Sequence, residues 1–74
     1  MTTPQIDLTI LQRLYDSEIN ISLEWTWDGG IEVWMAGPVA GKRGQAQTVA
    51  EALAWLDAQA RALYPDSQYA KEPR

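Results

Sequence analysis

The run Ile19-Asn20-Ile21-Ser22-Leu23-Glu24-Trp25-Thr26-Trp27-Asp28-Gly29-Gly30-Ile31-Glu32-Val33-Trp34-Met35-Ala36 alternates apolar and polar side chains on both sides of a turn. Ile19, Ile21, Leu23, Trp25 and Trp27 interleave with Asn20, Ser22, Glu24 and Thr26. A period of two predicts a strand from Ile19 to Asp28 with one buried face. Asp28-Gly29-Gly30 reads as a hairpin turn, and Ile31 to Ala36 as the returning strand. A two-residue loop would set Trp25 and Trp27 on the face of Glu32 and Trp34. A three-residue loop of Asp28, Gly29 and Gly30 pairs Trp27 with Ile31, Trp25 with Val33 and Leu23 with Met35. Only the longer loop gives one continuous apolar face, with Gly30 as its left-handed residue. Odd-numbered side chains from Ile19 to Met35 then point inward. Trp25 and Trp27 are expected in the core, where Trp25→Ala would cost about 3–5 kcal/mol.

Helices flank this hairpin. Pro4 to Ser17 reads as the first, with Thr3 as cap and Pro4 at the first helical position, where its missing N–H costs nothing. Ile10, Leu14, Leu11, Tyr15 and Leu8 fall on one arc, with Gln5, Thr9, Gln12, Arg13 and Asp16 opposite. Gly37 to Gly44 reads as a loop from its Gly and Pro content. Gln45 to Gln47 offers a short third strand. Thr48-Val49-Ala50-Glu51 is a capping box opening a helix to about Tyr64, with the stripe Val49, Leu53, Leu56, Ala60, Leu63 and Tyr64. Asp57 and Arg61 stand four apart on it, and Pro65 ends it. Tyr69 is placed to fold back on the core. The expected fold is α+β: helix, β-hairpin with an optional third strand, helix, both helices on one face of a small antiparallel sheet. Residues 1–70 form one domain in this reading, and 71–74 a flexible tail.

Composition narrows the functional classes. The chain has 74 residues, 6 Lys/Arg against 10 Asp/Glu, net charge −4, 4 Trp, and neither His nor Cys. That length supports one domain with one small core. Without His or Cys there is no imidazole base, no thiolate chemistry and no usual zinc site, so neither metal nor cofactor is expected. An acidic balance argues against nucleic acid as partner. The N-terminal stretch carries neither a basic region nor an apolar core of a signal peptide, and no run approaches a membrane span. A cytoplasmic protein that leaves membranes alone is the expectation. Gly37 to Gly44 falls short of a phosphate-binding loop: its glycine spacing is one residue too small, and Arg43 stands where a hydroxyl is needed.

The carboxylates do not suggest catalysis. Glu24 and Glu32 share an open sheet face with Ser22 and Thr26, which lacks the desolvation that general acid–base work needs. Asp28 is explained by turn chemistry. Two tryptophans break the core pattern: Trp34 sits on the Glu24/Glu32 face, and Trp55 lies about 120° from the centre of its helix stripe at 100° per residue. One explanation is packing, with Trp34 covering a neighbouring strand and Trp55 wrapping a sheet edge. The other is a partner surface, since exposed Trp often anchors interfaces. The functional expectation is a non-enzymatic module that binds a protein partner or forms a homodimer through the outer sheet face. Trp34, Glu24 and Glu32 come first as contact residues, then Trp55.

The order helix–strand–strand–strand–helix resembles the double-stranded-RNA-binding domain. That family docks RNA through Lys at the start of its second helix. Here that position reads Thr48-Val49-Ala50-Glu51, and Glu51 would repel phosphate. The Thr48 to Ala52 segment resembles the strand-to-helix entry of antitoxins that mask small mRNA-cleaving toxins, which implies an alternative regulatory role. A broader pattern resembles a group of short bacterial and prophage proteins: Leu14-Tyr15-Asp16-Ser17-Glu18-Ile19-Asn20, Trp27-Asp28-Gly29-Gly30, Glu51-Ala52 with Trp55-Leu56, and Tyr64-Pro65-Asp66-Ser67. It implies a bacterial or phage setting and no mechanism.

Overall fold

A computed structural model of the chain describes residues 8–71. Six elements follow in order: α1 (Thr9–Asp16), β1 (Ile21–Trp25), β2 (Ile31–Met35), β3 (Lys42–Ala46), α2 (Val49–Leu63) and α3 (Gln68–Lys71). The strands form one antiparallel sheet in the order β1-β2-β3. α2 lies across β2 and β3, while α1 and α3 pack on α2. This is the α+β arrangement expected, with the third strand present. Thr3 and Pro4, the expected start of the first helix, lie outside the described residues; of the expected tail 71–74, Lys71 closes α3 and 72–74 lie outside the described residues.

The parity of the hairpin holds. Ile31, Val33 and Met35 are buried, and they join Leu14, Ile19, Leu53, Leu56, Ala60 and Tyr69 in one core. The register differs by two residues from the expected one. Trp25 pairs with Ile31, Leu23 with Val33 and Ile21 with Met35. The loop is still three residues long, but it is Trp27-Asp28-Gly29. Thr26 decides this. Its N–H donates to the Gly30 carbonyl at 2.9 Å, its hydroxyl oxygen accepts the Gly30 N–H at 2.8 Å, and its O–H donates to the Asp28 carboxylate. Gly29, not Gly30, takes the left-handed conformation, at φ 90°.

That shift removes Trp27 from the sheet altogether, and Trp25 becomes the last residue of an edge strand. Trp25 is 70% exposed and Trp27 98% exposed. Both were expected in the core. The helices explain the correction: α2 covers β2 and β3, and among the described residues no helix packs extensively on β1; the inner face of the edge strand meets the core at Ile21 and Leu23.

The strand expected from Ile19 starts two residues later because Ile19 closes α1 instead. Glu18 is left-handed, with φ 59°. Its N–H reaches the Tyr15 carbonyl, and the Ile19 N–H reaches the Leu14 carbonyl, each at 3.0 Å. This double bond pattern ends a helix and stacks Ile19 on Leu14; both are buried.

The segment read as a loop ends in strand. Lys42, Arg43 and Gly44 lie in β3, and the glycines there serve as sockets. A Cβ at Gly44 would come within 2.4 Å of the Trp55 Nε1, and one at Gly41 within 2.3 Å of the Trp34 Nε1. Absent side chains at 41 and 44 are what let two indoles close on the strand.

The start of α2 is as expected: the Glu51 N–H donates to the Thr48 Oγ1 at 3.1 Å. Tyr64 ends the helix, and its hydroxyl donates to the Ala36 carbonyl. Tyr69 folds back and is buried. Its ring lies under the Arg13 guanidinium, 4.3 Å from the centroid, with Arg61 at 5.3 Å. Its hydroxyl donates to Asp57 at 2.7 Å, and Arg61 holds the same carboxylate oxygen at 3.2 Å. Burial first, then the Asp57 carboxylate, pushes this phenol well above the ordinary tyrosine range.

Candidate functional site

The outer face of the sheet carries the even-numbered side chains of β1 and β2. Ser22 and Glu24 come from β1, Glu32 and Trp34 from β2, and Arg43 from β3. Together with Val33 they line a shallow groove of about 170 Å³. The helices lie on the opposite face, so these side chains meet solvent.

The electrostatics of the groove are set by register. Glu24 and Glu32 are direct cross-strand partners. Like charges at that spacing oppose strand pairing. Arg43, paired with Trp34, reaches diagonally to Glu32, with Nη1 3.4 Å from Oε1. Its side chain is 73% exposed, so the contact is a weak surface pair. Glu24 makes no side-chain hydrogen bond to another described residue. The Trp34 indole, seated on Gly41, is half-buried and forms one wall. Two carboxylates, one of them without a side-chain partner among the described residues, and an aromatic surface thus converge on a space large enough for one side chain.

Trp34, Glu24 and Glu32 are therefore brought together on the outer face. Trp55 is not with them. Its helix lies on the inner face, and its indole closes on Gly44, whose partner Val33 is buried. Of the two explanations weighed for each Trp, wrapping β3 describes Trp55, while Trp34 both covers β3 and lines the groove. The sequence reads Arg43 as part of a Gly-rich loop and does not place it at the groove; its position next to Gly44 and Gln45, with one residue of alternation, carries too little strand signal.

The hairpin loop offers a second polar spot. The Thr26 hydroxyl, and after it the Gly30 N–H, hold the Asp28 carboxyl below the usual carboxylate range. Asp28 is open to solvent, so these bonds do loop work. Among the described residues, no group of three or more acidic side chains is placed to hold a metal ion, and no helix is long and apolar enough to cross a membrane. The chain matches no family model, no curated protein and no solved structure.

Proposed function

We propose that this chain is a small, non-enzymatic protein-interaction module whose outer sheet face takes a cationic side chain from a protein partner. The observation that carries the reading is the direct Glu24–Glu32 pairing beside the Trp34 indole. A lysine or arginine seated there relieves the repulsion between the carboxylates and lies against the ring, where cation–π attraction adds about 0.5–1 kcal/mol at an exposed site. Arg43 already satisfies part of this demand for Glu32, which leaves Glu24 as the strongest attractor. The net charge of −4 favours approach of a basic partner over an acidic one. The reading includes a cytoplasmic setting, with a bacterial or phage source carried by the sequence resemblance alone.

The test is a titration of the folded protein with tetra-arginine, followed by tryptophan emission. Binding is expected to weaken about tenfold in Glu24→Gln and in Trp34→Ala, and to fall as salt rises past the ~10 Å screening length of 0.1 M. Binding that ignores both substitutions, or no binding at all, overturns the proposal.

A further inference from the structure

The β1 edge borders the groove and has a backbone chemistry of its own. Thr26 N–H donates to the Gly30 carbonyl and Ala36 N–H to the Asn20 carbonyl. In an antiparallel ladder the bonding direction alternates by residue, so even-numbered residues of β1 bond to β2. The N–H and C=O groups of Ile21, Leu23 and Trp25 therefore point sideways, off the sheet. Exposed edges of this kind invite pairing with another strand, and proteins commonly block them with Lys, Pro or a bulge. β3, the other edge, carries Lys42 and Arg43. β1 (Ile-Ser-Leu-Glu-Trp) carries neither Lys nor Pro and pairs with β2 without a bulge.

From this difference between edges we infer that β1 pairs with β1 of a second copy of the chain, antiparallel about a two-fold axis at Leu23. In this register Leu23 faces its own counterpart, and Ile21 faces the second copy's Trp25. All three sideways-pointing residues find backbone partners, giving six hydrogen bonds by the pairing rule of an antiparallel ladder. The side chains agree with the backbone. Ser22 lies opposite the second copy's Glu24, so no two charges of one sign meet. Moving the axis to Glu24 sets that carboxylate against its twin, which is unfavourable; moving it to Ser22 leaves Trp25 without a bonded partner. Charge and bond count thus select one register.

The pairing also accounts for Trp25. On the inner face its indole comes to lie beside Ile21 of the second copy, over the part of β1 that no helix covers. Ile21 and Leu23 are only partly buried in the single chain, and Trp25 is 70% exposed. The occupant that continues this apolar row is another β1 with the same alternation. The product is a continuous six-stranded sheet whose two remaining edges are the cationic β3 strands.

Sedimentation equilibrium of the full chain alone tests this with no groove ligand present, so its failure and that of the proposed function are distinguishable. A reversible monomer–dimer equilibrium is expected. Trp25→Lys should weaken it at least tenfold. Ser22 reads the register: Ser22→Lys, facing a carboxylate, should tighten the dimer about threefold, and Ser22→Glu should weaken it at least threefold. Both substitutions are on an exposed position, and circular dichroism of each variant checks that the fold is kept. Were Trp25→Lys to lose the fold, the Ser22 pair alone would decide. A chain that stays monomeric up to about 1 mM, where association would be worth only ~4 kcal/mol, overturns the inference. So does a dimer that Ser22→Lys and Ser22→Glu shift in the same direction, or one that neither changes.

Discussion

The two sides of the sheet treat their tryptophans in opposite ways. On the β3 side, Trp34 and Trp55 each close on a glycine, one from the outer face and one from the inner. On the β1 side, Trp25 and Trp27 stand in solvent. The same residue type is packing on one side and surface on the other. What separates them is not hydrophobicity but the presence of a socket. A bare glycine backbone lets an indole approach, and α2 supplies the second wall on the inner face. β1 has no glycine, and among the described residues no helix packs extensively over it, so its indole at Trp25 stays exposed in the single chain.

The largest expected effect lies on the closed side. Trp55→Ala removes the indole between α2 and β3 and should cost about 3 kcal/mol in urea unfolding, a large share of the stability of so small a domain. Gly44→Val attacks the same contact from below. A side chain there forces the ring out, at about 2 kcal/mol, and the double variant should cost clearly less than the two added together. Additive costs would mean that Gly44 and Trp55 do not share one contact.

Next comes the Tyr69 anchor, which ties α3 to α1 and α2. Its phenol is raised in the native state from the ordinary value of 10. Below pH 10 both folded and unfolded chains keep the proton. Above it the unfolded chain loses the proton first, so stability falls as pH climbs through the raised native value. Urea midpoints measured from pH 7 to 11 should decline beyond pH 10, and Tyr69→Phe should flatten that decline while costing about 1 kcal/mol at pH 7 for the lost bond to Asp57.

The smallest effects belong to the open side. In dilute protein, Trp25→Ala and Trp27→Ala should each change stability by no more than about 0.5 kcal/mol. Set against Trp55→Ala, this is a fivefold or greater difference between a tryptophan at the open edge of the sheet and one that α2 packs on its other side. Comparable costs at Trp25 and Trp55 would erase it.

Much of this was legible in the sequence, and the failures have a common cause. Parity, the capping box at Thr48 and the stop before Pro65 all follow from local rules that involve a few neighbouring residues. Trp34 was placed on the outer face by the same parity. The register slipped because it turned on the Thr26 hydroxyl, which competes for the Gly30 N–H and shifts the loop by one residue. Trp25 and Trp27 escape the sequence rule because alternation says which face a side chain shares, not whether a helix lies above that face. Helix α2 has length enough for two strands, and only the assembled fold reveals which two. Gly41 and Gly44 misled for a related reason. Glycine marks turns, but it also marks places where a ring must come close, and nothing local to the Gly37–Gly44 stretch distinguishes the two uses.

The contrast between the sides can be read in one spectrum. The four indole N–H resonances, observed in chain dilute enough to be monomeric, are titrated with a soluble paramagnetic agent that broadens whatever solvent touches. Trp25 and Trp27 should broaden first and strongly, with Trp34 and Trp55 lagging well behind. Shielded signals from Trp25 and Trp27, with Trp55 the most broadened, would contradict the account.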